Sequence, residues 1–133
     1  MQILSVRQYS NKLKASIQST GRLTFTDETS KILGLSEGSL VKFALDEEHD
    51  NTLFLIFVNT EIDEDAFRVK KSGSYYYLPT KSLFDALGYD YGGGSIGFDL
   101  IRTQAKDKYL NGTVYRMSIR NKNRNGGDDD VED

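Results

Sequence analysis

The chain contains no cysteine. That absence excludes a disulfide scaffold, a cysteine-ligated zinc site and a thiol nucleophile. The only histidine, His49, sits among Glu47, Glu48 and Asp50. Four adjacent loop side chains cannot all converge on one metal ion, so a solvated hairpin tip is the expected role. There is one proline, Pro79. Long hydrophobic runs are missing too. The longest, Leu53–Val58, has six residues, against the about 20 that a membrane-crossing helix needs. No apolar stretch near Met1 reads as a signal peptide, so a cytoplasmic protein is the default expectation. At 133 residues, with 38% hydrophobic and 28% charged, the composition is ordinary for a soluble domain. The length suits one compact unit or two very small ones.

Catalytic constellations are equally scarce. Gly93-Gly94-Ser95-Ile96-Gly97 fits the G-x-S-x-G pattern, but a nucleophile elbow needs a helix after the serine, and here the serine opens a strand. Gly92-Gly93-Gly94 has no following lysine and helix to make a phosphate cradle; both motifs read as one glycine-rich turn. Asn111-Gly112-Thr113 matches a glycosylation acceptor, which a cytoplasmic chain does not use. The acidic residues cluster in loops and near the end of the sequence, so no acid/base pair stands out. The expectation is a non-enzyme without cofactor or metal.

What the chain does have is unevenly distributed charge. The formal net charge is −3 and the sequence pI 5.2, which argues at first against a polyanionic partner. Yet Gly126–Asp133 holds Asp128, Asp129, Asp130, Glu132 and Asp133 with no basic residue. Residues 121–133 contain Val131 as their only sizeable apolar side chain; such a segment cannot offset its ordering entropy by burial, and a disordered acidic tail is expected. Glu61, Asp63, Glu64 and Asp65 form a second acidic cluster. Residues 67–120 carry nine basic and four acidic groups, whereas 14–60 carry four basic and seven acidic. The two halves differ in sign.

Short alternating, β-branched and aromatic runs dominate, so the reading is mainly β with two short helices. Strands are expected at Ile3–Tyr9, Ala15–Ser19, Arg22–Thr26, Leu40–Leu45, Leu53–Val58, Phe67–Lys70, Tyr75–Leu78, Ser95–Arg102 and Val114–Ile119. Asp27 or Thr26 caps a helix that runs through Leu33 and stops at Gly34. Pro79 and Thr80 open a second helix, with Leu83, Phe84 and Leu87 on its apolar face and Gly88 after it. The unbroken apolarity of Leu53–Val58 suggests burial on both faces. Thr20-Gly21-Arg22-Leu23-Thr24-Phe25 aligns with Ser72-Gly73-Ser74-Tyr75-Tyr76-Tyr77, and Ile32-Leu33-Gly34-Leu35 with Ala86-Leu87-Gly88-Tyr89. The implied organisation is an N-terminal strand or arm (1–13), a first ββαββ repeat (14–60), an acidic connector (61–66), a second ββαββ repeat (67–120) and the acidic tail (121–133). One repeat is too small to bury its own core, so the two pack on each other about a pseudo-twofold axis.

Gly21-Arg22-Leu23-Thr24-Phe25-Thr26, then a short helix, then Leu33-Gly34-Leu35-Ser36-Glu37-Gly38-Ser39-Leu40-Val41 resembles the SpoVT/AbrB swapped-hairpin signature. Thr26 stands where that family usually has proline. The second copy keeps the proline as Pro79 but has Ser74 in place of the arginine. Two copies in one chain is similar to the MraZ-like arrangement. The resemblance spans roughly residues 14–120 and implies one intertwined AbrB-like, double-psi-like β-barrel. It also implies a DNA-binding transcription regulator that works as a homo-oligomer, or the antitoxin partner of a toxin. Carried over by position, the basic residues implied at the DNA are Lys14, Arg22 and Lys31 in the first copy and Arg68, Lys70, Lys71 and Lys81 in the second. The family's often-basic helix position before Lys31 is Ser30, and the second helix holds Phe84 and Asp85 there.

Read as residues, Arg68, Lys70 and Lys71 beside Tyr75, Tyr76 and Tyr77 suit phosphate neutralisation with aromatic packing. The plainer alternative is a solvated strand face beside a β-favouring tyrosine run, one of which alternation must bury. The function class therefore lies between duplex-DNA binding, anchored on phosphates, and a protein-interaction or assembly module in which the acidic segment meets a basic partner or the chain's own basic half.

Overall fold

The computed structural model describes residues 13–46, 52–58, 62–103 and 112–120. The expected strand Ile3–Tyr9, the loop around His49, most of the loop before Thr113 and the acidic tail lie outside the described residues. Among those described, the elements in chain order are β1 (Lys14–Ile17), β2 (Leu23–Phe25), α1 (Asp27–Leu33), β3 (Leu40–Leu45) and β4 (Leu53–Val58), then β5 (Phe67–Arg68), β6 (Lys70–Ser72), β7 (Tyr75–Leu78), α2 (Lys81–Ala86), β8 (Ile96–Thr103) and β9 (Gly112–Ile119). The protein is mainly β with two short helices. Its strands form one antiparallel sheet in the order β5-β3-β4-β9-β8-β1-β2-β7-β6.

That sheet is nearly closed, and one residue brings its edges together. The sequence reading expects a single strand over Phe67–Lys70. Instead the chain bends at Val69: β5 pairs with β3 at one edge, while β6 pairs with β7 at the other. Val69 is fully buried. Its N–H donates to the Ser39 carbonyl at 2.8 Å, and its carbonyl accepts from the Gly38 N–H at 2.9 Å. The expected strand is split because its middle side chain is drawn inward while its two ends hydrogen-bond to strands far apart in the sheet order.

Alternation sorts the side chains. Ala15 and Ile17 on β1, Leu23 and Phe25 on β2, Leu53 and Leu55 on β4, Ile96, Phe98 and Leu100 on β8, and Tyr115 and Met117 on β9 all join the interior cluster. On the opposite face of β4, Ile56 is buried as well, which accounts for the apolar run of that strand. Phe84 of α2 is fully buried and sits mid-way in an edge-to-face series through the interior: Phe67–Phe43 at 5.6 Å, Phe43–Phe84 at 5.9 Å, Phe84–Tyr89 at 5.4 Å and Tyr89–Phe98 at 6.1 Å. T-shaped contacts of this kind are the preferred aromatic geometry. Burial pushes the Tyr89 hydroxyl's pKa above its ordinary value.

Both helices are pinned to the β1–β2 hairpin by threonines. Thr26 caps α1, accepting from the Thr29 N–H at 3.2 Å, and Thr29 Oγ1 accepts from the Lys14 N–H at 2.6 Å. Gly34 ends the helix with φ 65°, the left-handed conformation expected at that position. Thr80 precedes α2 but makes no capping hydrogen bond. Its buried hydroxyl instead accepts from the Leu23 N–H at 3.1 Å and donates to the Gly21 carbonyl at 3.0 Å, with the Leu78 carbonyl also at 3.2 Å. Gly21 has φ +84°, and a Cβ there would come within 2.7 Å of the Lys81 side chain, so the hairpin turn can approach α2 only as glycine.

Thr80→Val keeps the shape and removes the hydroxyl, leaving buried Leu23 N–H and Gly21 carbonyl groups without that partner. Urea unfolding is expected to show a loss of about 1–3 kcal/mol, with Thr80→Ser losing markedly less. Equal losses for the two would show that the hydrogen bonds are not what Thr80 contributes.

Candidate nucleic-acid interface

Because alternate strand residues point to opposite faces, the register assigns every outward side chain to a row. One row crosses six strands. The Arg120 N–H, just after β9, donates to the Gly97 carbonyl at 2.8 Å. Gly97 lies opposite Ser16, Ser16 opposite Thr24, Thr24 opposite Tyr77, and Tyr77 opposite Lys70. Five steps of about 4.8 Å put Lys70 roughly 24 Å from Arg120 along the sheet. The middle of the row is small: Gly97, Ser16 and Thr24. The Arg120 guanidinium lies over Gly97, where a Cβ would come 2.6 Å from its Nη2.

The neighbouring outward positions add charge and aromatic surface. The Arg22 guanidinium stacks on Tyr77, 4.2 Å from the ring centroid, and the Tyr75 and Tyr77 rings are 6.0 Å apart. Gln18 Nε2 donates to Ser16 Oγ at 2.8 Å and to Thr24 Oγ1 at 3.1 Å. Lys14 Nζ pairs with Asp99 Oδ1 at 3.0 Å, and Arg120 Nε lies 3.5 Å from the same oxygen. Across β1, β2, β6, β7, β8 and β9, Asp99 is the only acidic residue. The face is therefore net positive even though the chain is net negative.

Of the residues singled out from sequence, Lys14, Arg22 and Lys70 share this face. Lys81 stands beside it, with its side chain against Gly21 and its ammonium on Asp85 at 2.8 Å. Arg68 lies across the Val69 bend from Lys70 and turns toward the Gly38 carbonyl, Nη1 at 3.5 Å. Lys71 points away from Lys70, over the Tyr76 ring at 5.5 Å. Tyr76 is the one tyrosine of its run that packs against the interior cluster. Lys31 is exposed in the last turn of α1, off the sheet. Arg120 was not among the sequence candidates. The glycine opposite it is the signal that points to it, since glycine inside a strand pattern marks a close approach, but only the β8–β9 register says what approaches.

One other feature is less suited to a polyanion. A cleft of about 630 Å3 is lined by Leu33–Leu40 with Phe57, Val58 and Thr113, and Glu37 is the only charged side chain among the described residues that line it. Among the described residues no cluster of three or more His, Asp or Glu side chains is placed to hold a metal ion, and no helix is long and apolar enough to cross a membrane. Comparison of the chain with family models, with curated proteins and with solved structures finds no match.

Beside the face, Asp85 accepts from Lys81 and from the Tyr91 hydroxyl. The Lys81 hydrogen bond and then that of Tyr91 hold the Asp85 carboxyl below its ordinary value. The Asp85 carboxylate raises Lys81, and, chiefly by hydrogen bonding, raises Tyr91. A lowered carboxyl stabilises the fold above its unfolded pKa, and that contribution is lost as pH falls through the folded value. The raised Lys81 and Tyr91 contribute below their unfolded values and cease to do so at alkaline pH. Asp85→Asn is thus expected to shrink the drop in thermal unfolding midpoint between about pH 5 and 3, while the midpoint near neutrality falls only slightly, as for an exposed pair. An unchanged acid limb would show that Asp85 carries no linkage.

Proposed function

We propose that the protein binds duplex DNA on the outer face of β9-β8-β1-β2-β7-β6 and acts as a transcriptional regulator. The observation that carries this reading is the placing of Lys14, Arg22, Lys70 and Arg120, from four separate stretches of sequence, on the outer side of six neighbouring strands in which Asp99 is the sole acidic residue. Phosphate contacts fix register and orientation on a duplex, and groove shape with a few polar contacts supplies preference. Ser16, Gln18 and Thr24 offer those polar groups between the cations. Because the sheet is nearly closed, the roughly 24 Å follows its curved outer wall, and a duplex would meet part of the row at a time.

The swapped-hairpin reading is supported by the pairings. Under the internal alignment β2 corresponds to β7 and β4 to β9, and each pairs with its counterpart. The β1–β2 and β6–β7 hairpins correspond, as do β3–β4 and β8–β9. Two interlocked ββαββ units related by a pseudo-twofold axis account for this order, and a homo-oligomer would set two such faces on one duplex. The protein-interaction alternative draws support from Lys31 and Lys71, which stand off the face.

Binding to a duplex is expected to weaken roughly 40- to 150-fold between 50 and 200 mM salt, as three or four phosphate contacts require. Lys70→Ala and Arg22→Ala should each lower affinity several-fold and reduce the salt slope by about 0.9. Lys42→Ala, on β3 and paired with Asp63 at 3.1 Å, should change neither. Fluorescence anisotropy reads all three. A flat titration at about 50 mM salt rejects DNA binding and favours the interaction module.

A further inference from the structure

The basic face leaves one sequence feature without a role, the acidic segment 126–133. The described chain stops beside that face, at Arg120. Ile119 lies opposite Phe98 and Arg120 opposite Gly97, so the described chain ends at one end of the row. Asp128 follows eight residues after Arg120. An extended chain rises about 3.3 Å per residue, which gives a reach of roughly 26 Å, comparable with the width of the row. The composition between is graded to match. Lys122 and Arg124 come first, Gly126-Gly127 follow, and the block Asp128, Asp129, Asp130, Glu132 and Asp133 comes last, with Arg22 and Lys70 inside the reach of an extended chain. No side chain in 121–130 is apolar enough to draw the segment into a core.

We propose that the acidic segment 126–133 docks on the β2-β7-β6 end of this face, against Arg22 and Lys70, and competes there with a polyanion. The competition rests on the nucleic-acid reading above; the docking does not. Contacts of this kind are exposed and screened within a Debye length of about 8 Å at physiological salt, so the segment acts as a displaceable cover that a duplex with many phosphates outbids.

The test uses the full chain. Because there is no natural cysteine, a nitroxide attached through Val131→Cys labels one position. At about 50 mM salt it is expected to broaden the amide signals of Thr24, Tyr77 and Lys70 well beyond those of Lys31 and Lys42, and to stop doing so near 0.5 M salt. Joint neutralisation by Asp128→Asn, Asp129→Asn, Asp130→Asn, Glu132→Gln and Asp133→Asn should abolish the effect and tighten duplex binding about tenfold at 50 mM salt. No broadening, or equal broadening of Lys42 and Lys70, overturns the docking whatever the DNA result. Selective broadening with duplex affinity unchanged by neutralisation overturns the competition. Selective broadening with no duplex binding by either chain overturns the nucleic-acid reading together with the competition, and leaves the docking standing.

Discussion

The fold depends on the passage of the chain through Val69. A nine-stranded antiparallel sheet has two edges, and exposed edges present unpaired backbone groups that invite aggregation. Here the edge strands β5 and β6 are consecutive in sequence with one residue between them. Burying Val69 and pairing its backbone with Gly38 and Ser39 draws the two edges together. With the sheet curled in this way, one face of nearly every strand turns toward a common interior, and α2 can insert Phe84 among Phe43, Tyr89 and the residues around them.

The polar face is the other side of the same constraint. Inward positions on β1, β2, β7 and β8 are taken by Ala15, Ile17, Leu23, Phe25, Leu78, Ile96 and Phe98, so the residues between them must point out. Those are Lys14, Ser16, Gln18, Arg22, Thr24, Tyr77 and Gly97. The cations Lys14 and Arg22 among them, and Arg120 beside them, are held rather than waving. Arg22 rests on Tyr77, Arg120 on Gly97, and Lys14 on Asp99. Such exposed contacts contribute little to stability, on the order of 0–1 kcal/mol each. Their effect is to reduce the side-chain entropy that a charged partner would otherwise have to remove.

Net charge is a poor guide to this surface. A chain of net charge −3 presents six strands with one acidic residue because its acids lie elsewhere, chiefly in the first turn of α1, between β3 and β4, in the segment after β4 and in the stretch after Arg120. Asp63 shows the separation well: its carboxyl, held below its ordinary value by the Asp65 N–H and then by Lys42, ties the segment after β4 to the outside of β3.

Much of the local structure was legible in the residues. The bounds of β3, β4 and β7, the Thr26 cap, the Gly34 stop and the buried face of α2 all follow from side-chain periodicity, capping oxygens and backbone freedom, which act over a few residues. Lys14 and Arg22 could be singled out only as positions that the swapped-hairpin resemblance implies at a DNA, and Lys70 also as a cation beside a tyrosine run. The shared face could not, because it requires knowing that β1 lies between β8 and β2 and that β7 lies between β2 and β6. Phe67–Lys70 read as one strand, since nothing within those four residues reports that hydrogen-bond partners at both edges of a distant sheet compete for them. Arg120 went unnoticed for the same reason. Alternation says which residues turn outward, but only long-range strand pairing decides which outward residues become neighbours.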